Sequence, residues 1–204
     1  IFVLARQLYD EGYDVHVFSE REQQQNWPNL QGALTGRGLA YTEARSAVQQ
    51  RAVENVVGIG FSYGGGALLN LLNRLERAAG GQIPGEAVAQ PFAVPFTAYI
   101  DAIHHGSSAP PQAVTLLPAL TRFHVNYYQQ IDNTRFWPFI PNGIRGASVR
   151  GSNINIDVNA QAWGGNINHS AIDDNLVVLG LDPQQNQRGE LGIFGHLLRQ
   201  ALTR

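Results

Sequence analysis

Ile1, Leu4, Ala5, Leu8 and Tyr9 recur at i, i+3, i+4, i+7 and i+8, one face of a helix, and Gly12 follows where a C-cap belongs. The chain is therefore expected to open with a helix. Tyr13 to Ser19 (Y-D-V-H-V-F-S) alternates polar and apolar β-formers and reads as a strand. From Asn26 to Gly38 the sequence contains W-P-N and G-R-G without a period, and reads as a loop with the character of a lid. Tyr41 to Val53 carries alanine, glutamate and arginine at helical spacing. Asn55 to Phe61 (N-V-V-G-I-G-F) is a short apolar run, as expected of a strand covered on both faces of a parallel sheet. Ala67 to Ala79 is a strongly amphipathic helix closed by Gly80 and Gly81. Phe92 to Ile100 is a second buried strand whose first half is weakened by Pro95. Phe123 to Tyr128 and Asn153 to Val158 are further strands, and Gly189 to Leu202 is a closing helix. Strands alternating with helices predict an α/β fold: a mostly parallel sheet with helices on both faces, in one domain spanning 1–204.

Composition narrows the chemistry. Charged residues are 15% of the 204, against about a quarter in an average domain, and 22 glycines with 10 prolines imply many tight turns. A net charge of −2 with scattered positive charges offers no basic stripe for a phosphate backbone, so no nucleic-acid partner is expected. There is no cysteine, which excludes disulfides, thiolate metal sites and a cysteine nucleophile. All 14 basic residues are arginine, which excludes a lysine Schiff base and the phosphate-binding lysine of a P-loop. No apolar run approaches the roughly 18 residues of a transmembrane helix. Opening mid-pattern at Ile1 without methionine, the sequence reads as trimmed at its N-terminus.

The central motif is Gly60-Phe61-Ser62-Tyr63-Gly64, a G-x-S-x-G placed where a buried strand gives way to an amphipathic helix. Such a turn holds its serine on a strained backbone, so glycines at 60 and 64 are expected to let strand and helix close around Ser62. The first amides of the following helix would point at a reacting carbonyl, with Tyr63 N–H donating to an oxyanion. Chance matches to this five-residue pattern arise in glycine-rich chains; it is the strand–turn–helix context that gives this one weight.

With G-I-G-F-S-Y-G-G-G, then A-Y-I-D-A-I, H-V-N-Y-Y-Q and N-H-S-A-I-D-D, the chain resembles the α/β-hydrolase family over most of its length. The resemblance implies a serine hydrolase of the lipase or esterase kind, needing no cofactor, whose acid and base follow the serine in the order Ser, Asp or Glu, His. Asp101 and His169 satisfy that order. An acid directly after the strand that follows the nucleophile helix is similar to the arrangement in lipases of the pancreatic type and related bacterial hydrolases. Asp132 and Asp157 compete with Asp101; Asp157 lies inside a strand pattern, where a solvated face or a cap is the ordinary explanation. His169 sits on the polar loop Gly164 to His169. Among its rivals, His16, His124 and His196 lie within expected strands or helices and read as structural, while His104 and His105 adjoin the proposed acid and could line a pocket.

The family's second oxyanion donor comes from a loop before its first helix, where this sequence begins. Without those strands the sheet would lack one edge and the oxyanion hole would be half built. Trp27-Pro28 and Phe136-Trp137-Pro138-Phe139-Ile140-Pro141 could wall an acyl pocket, although such clusters are more often loop packing. Two other classes compete. Gly58-Ile59-Gly60 superficially opens a dinucleotide fingerprint, but position 63 holds tyrosine where the third glycine belongs. A non-catalytic, hydrolase-like binding module is the other. Asp173-Asp174 could hold calcium, but a solvated loop is the simpler reading, and no metal is assigned. The expected partner is a small-molecule or lipid ester.

Overall fold

The computed structural model describes residues 1–18, 38–104, 112–131, 144–163, 165–181 and 192–202. Helix α1 (Phe2–Asp10) opens the chain and α2 (Leu39–Arg51) leads into β1 (Asn55–Phe61). Ser62 caps α3 (Tyr63–Ala79), which returns the chain to β2 (Ala93–Ile100). A short antiparallel pair, β3 (Ile103–His104) and β4 (Gln112–Ala113), precedes β5 (His124–Tyr128) and β6 (Ile154–Asp157). Two 3-10 turns (Val158–Ala160 and Ile172–Asp174), a one-turn helix α4 (Leu176–Leu179) and α5 (Ile193–Leu202) complete the described elements. None of the described helices is long and apolar enough to cross a membrane.

The sheet has the order β1-β2-β5-β6 with every pair parallel, so all carboxyl ends lie along one edge. Alternation along β2 sends Phe96, Ala98 and Ile100 to one face, where they pack with Leu4 and Leu8 of α1 and Ile193 and Leu197 of α5. On the other face Leu72 and Leu75 of α3 meet Val48 of α2 and Val94 of β2, and Leu69 meets Tyr99. Helices thus cover both faces, as parallel sheets require. The expected α/β class with a mostly parallel sheet is what the chain adopts.

Several local expectations need correction. Tyr13 to Phe18 forms no strand: a strand needs a ladder partner, and this segment is separated from the outer edge of β1 by a cavity of about 840 Å³ lined by both. Pro95 does not weaken β2. The register steps from Asn55↔Ala93 to Val57↔Phe96, three residues against two, and this bulge absorbs the position without an N–H. Helix α3 starts at Tyr63, four residues before the expected Ala67, because Gly64, Gly65 and Gly66 are helical despite their low propensity. The lid stretch from Asn26, Trp27-Pro28, His105, Asp132, the 136–141 cluster and the first residues of the closing helix fall outside the described residues.

Candidate active site

Ser62 sits between β1 and α3 at φ 53°, ψ −129°, a conformation that costs an L-residue on the order of 1–3 kcal/mol and is sustained by its surroundings. Three backbone hydrogen bonds hold it. Ser62 N–H donates to Ile100 O at 3.0 Å, while Ser62 O accepts from Gly65 N–H and Ile103 N–H, both at 3.0 Å. Two of these tie the serine turn to the turn at the end of β2. That second turn carries Asp101, which also has positive φ (46°) and whose N–H donates to Tyr127 O at 2.7 Å.

The glycines divide the work differently from the motif. A Cβ on Gly60 would lie 2.7 Å from Gly64 O and from Gly65 Cα. On Gly65 it would lie 3.0 Å from Ala102 Cα and closer still to Ala102 Cβ, and on Gly66 2.6 Å from Ile103 O. Gly64 meets nothing within 4 Å. Close approach of helix to strand therefore rests on Gly60, Gly65 and Gly66, and the expectation for Gly64 is withdrawn.

The structure brings Ser62, Asp101 and His169 together. Ser62 Oγ lies 2.8 Å from His169 Nε2, and His169 Nδ1 lies 2.6 Å from Asp101 Oδ2. Because the buried carboxylate is an acceptor, Nδ1–H donates to it and Nε2 is left to accept the serine proton. Asp101 is fully buried and His169 is nearly so, 9% exposed, whereas Ser62 remains half-buried and reachable. The Phe61 ring stacks on the imidazole, centroids 5.0 Å apart. His169 is carried by a loop after β6 that Asn159 ties down by donating to Ile167 O at 2.9 Å.

The rivals among the described residues lie in other settings. Asp157 caps a 3-10 turn by accepting from Asn159 N–H. His16 is exposed and 3.1 Å from Asp14. His124 is buried against Thr97 Oγ1 at 2.7 Å, and burial pushes it down to about 4. His196 contacts Arg199 at 2.8 Å and is pushed to about 4, chiefly by burial. His104, lowered by burial, lies beside Gly66 rather than at the triad. Among the described residues no group of three or more histidine, cysteine or acidic side chains could hold a metal. Gly58 backs onto the Leu68 side chain and Gly60 onto the helix backbone, so both serve strand–helix packing.

Sequence reasoning missed two neighbours of Asp101. Gln129 N–H and Nε2 donate to its two oxygens at 3.2 and 2.8 Å, and Gly146 N–H donates to Oδ1. Gln129 directly follows β5 at the carboxyl edge of the sheet, a place where polar residues merit notice. Gly146 had no such signal. The cavity beside β1 reaches Ser62, Tyr63 and Gly64 and is walled by Leu4, Leu8, Val15, Val57 and Ile59. Comparison with models of known families, with curated proteins and with solved structures yields no match.

Proposed function

We propose that this chain is a serine hydrolase of the α/β-hydrolase type that cleaves carboxylic esters through an acyl-enzyme. The observation that carries the reading is the unbroken chain Asp101–His169–Ser62, with bonds of 2.6 and 2.8 Å linking residues 68 and 107 positions apart in sequence. His169 Nε2 takes the Ser62 proton as Oγ attacks the ester carbonyl, and Tyr63 N–H, the first amide of α3, donates to the oxyanion. Collapse of the tetrahedral adduct expels the alcohol, which leaves with the proton from Nε2. Water, deprotonated by the same nitrogen, then releases the acid. Asp101 keeps Nδ1 protonated and stabilises the transient imidazolium.

The cavity beside β1 is lined mostly by apolar side chains, with Asp14, His16, Glu43, Asn55 and Gln200 also on its wall, and the outer strand edge within it presents peptide groups with no ladder partner among the described residues. An acyl chain laid along that edge would leave them dry at about 1–3 kcal/mol each.

Turnover of a short-chain nitrophenyl ester, with labelling of Ser62 by a fluorophosphonate, tests the proposal. Ser62→Ala and His169→Ala should each lower kcat by about 10⁴ to 10⁶. Label on another residue, or full turnover by Ser62→Ala, would refute it. A folded wild type without turnover would favour the non-catalytic module.

A further inference from the structure

We infer that Gln129 is a positioning residue for the acid, selecting which oxygen of Asp101 meets His169; the inference rests on the hydrolase reading above. Asp101 Oδ1 receives two backbone donors, Gln129 N–H at 3.2 Å and Gly146 N–H, and faces away from the imidazole. Oδ2 receives Gln129 Nε2 at 2.8 Å and His169 Nδ1 at 2.6 Å. Nε2 also donates to Ile144 O at 2.7 Å. Both partners of Nε2 are pure acceptors, so the amide can face them only through its nitrogen, and its orientation is fixed.

The side chain is fully buried, and the segment it bonds is itself hydrogen-bonded to the sheet. The segment carrying Ile144 and Gly146 is held from β5 by Asn126 Nδ2, donating to Ala147 O at 2.8 Å. From β6, Asn155 accepts from Val149 N–H at 2.8 Å and donates to Val149 O at 3.0 Å. Any Cβ at position 146 would lie 2.8 Å from Tyr128 Cβ and closer still to Asp101 Oδ1, so this backbone comes to the carboxylate as near as only glycine allows. With Oδ1 filled and Oδ2 supported from the side, one direction is left for Nδ1–H. A carboxylate held this way orients the imidazole without moving as charge develops on it.

Two variants separate this role from a structural one. Gln129→Leu removes both side-chain bonds and keeps the bulk; kcat for the nitrophenyl ester should fall about tenfold to a hundredfold with KM within about twofold, by a factor independent of pH. Gln129→Glu keeps the shape but offers one proton to two acceptors, and only while protonated. Its activity relative to wild type should decline as pH rises, because its carboxylate then repels Asp101. Titratable and charged groups near the pair include His169, bonded to Asp101, Asp173, whose carboxyl feels the His169 charge, Tyr128 beside Gly146, and Arg145 between Ile144 and Gly146; all are common to all variants, so the ratio to wild type isolates position 129.

Independently of turnover, proton NMR should show the low-field Nδ1–H of His169 in the wild type and its shift or loss in both variants. The inference is overturned if the two variants keep kcat within twofold and leave that resonance unmoved, or if the Gln129→Glu ratio is as flat with pH as that of Gln129→Leu. Should Gln129→Leu fail to fold, Gln129→Glu and the resonance decide. Absence of Ser62-dependent turnover in the wild type would instead sink the hydrolase reading, leaving the resonance to judge the clamp.

Discussion

Substituting Gly65 and Gly64 one at a time should have opposite consequences, although only Gly64 belongs to the G-x-S-x-G pattern. A methyl on Gly65 would lie 3.0 Å from Ala102 Cα and nearer to its Cβ, where carbon–carbon contacts need about 3.5 to 4.0 Å. The helix must therefore back away from the end of β2 by about 1 Å. Ala102 cannot yield alone, since Ile103 N–H is bonded to Ser62 O and Ser62 N–H to Ile100 O. Overpacking of this kind costs about 1–3 kcal/mol, and displacing Ser62 against Asp101 by about 1 Å costs about a hundredfold in rate. Gly64 has open space around it and lies in the first turn of α3, so Gly64→Ala should stabilise the protein by up to about 1 kcal/mol through helix propensity. Urea unfolding with unchanged m values, paired with kcat on the nitrophenyl ester, measures both effects. If Gly65→Ala proves as stable and active as the wild type, or Gly64→Ala is the more damaging, the account of how helix and strand meet is wrong.

Phe61→Ala should lower kcat about tenfold by freeing the His169 ring from its stacking partner, with Phe61→Tyr retaining most activity; equal rates for both would deny the ring a role. Glu86→Gln should destabilise the fold by about 2 kcal/mol, because it removes the negative charge bonded to the buried Arg74 guanidinium and loosens Tyr41, whose hydroxyl donates to Glu86 at 2.8 Å; a change below about 1 kcal/mol in urea unfolding would contradict this. His124 and His196 are neutral in the fold, pushed from 6.5 to about 4. Between those values the unfolded chain binds more protons, so stability is complete above pH 6.5 and is lost as pH falls towards 4, by on the order of 3 kcal/mol per histidine. Unfolding free energies of the wild type and His124→Gln at pH 7 and 4.5 check this, the variant having the shallower fall.

What could be read from the sequence was what short segments decide for themselves. N-V-V-G-I-G-F cannot be satisfied except between helices, and a serine turn between it and an amphipathic helix lands at the sheet's carboxyl edge; A-Y-I followed by Asp101 places a carboxylate at the same edge by the same logic. What depended on pairing was hidden. The bulge that accommodates Pro95 exists only because β2 runs beside β1, and Tyr13 to Phe18 alternates as a strand does but joins no ladder among the described residues. Gly64 and Gly65 look equivalent until Ala102 is put against one of them. Gln129 and Gly146 acquire meaning only through Asp101, 28 and 45 residues away.

The arrangement at the sheet edge is expensive, and the expense bears on function. Ser62 and Asp101 both hold positive φ, which costs on the order of 1–3 kcal/mol each. Asp101 is also withdrawn wholly from water, and four N–H groups are committed to its two oxygens in compensation. A domain selected only to be stable, or to present a surface, gains nothing from this: apolar residues of similar size at 101 and 169 would commonly be neutral or stabilising. The strained residue that stays reachable is the one bearing a hydroxyl, and the buried charge is aimed through an imidazole at that hydroxyl alone. Of the four described non-glycine residues with positive φ, Ser62 and Asp101 are joined through His169, and that convergence on Ser62 Oγ supports the proposed nucleophile over a binding module.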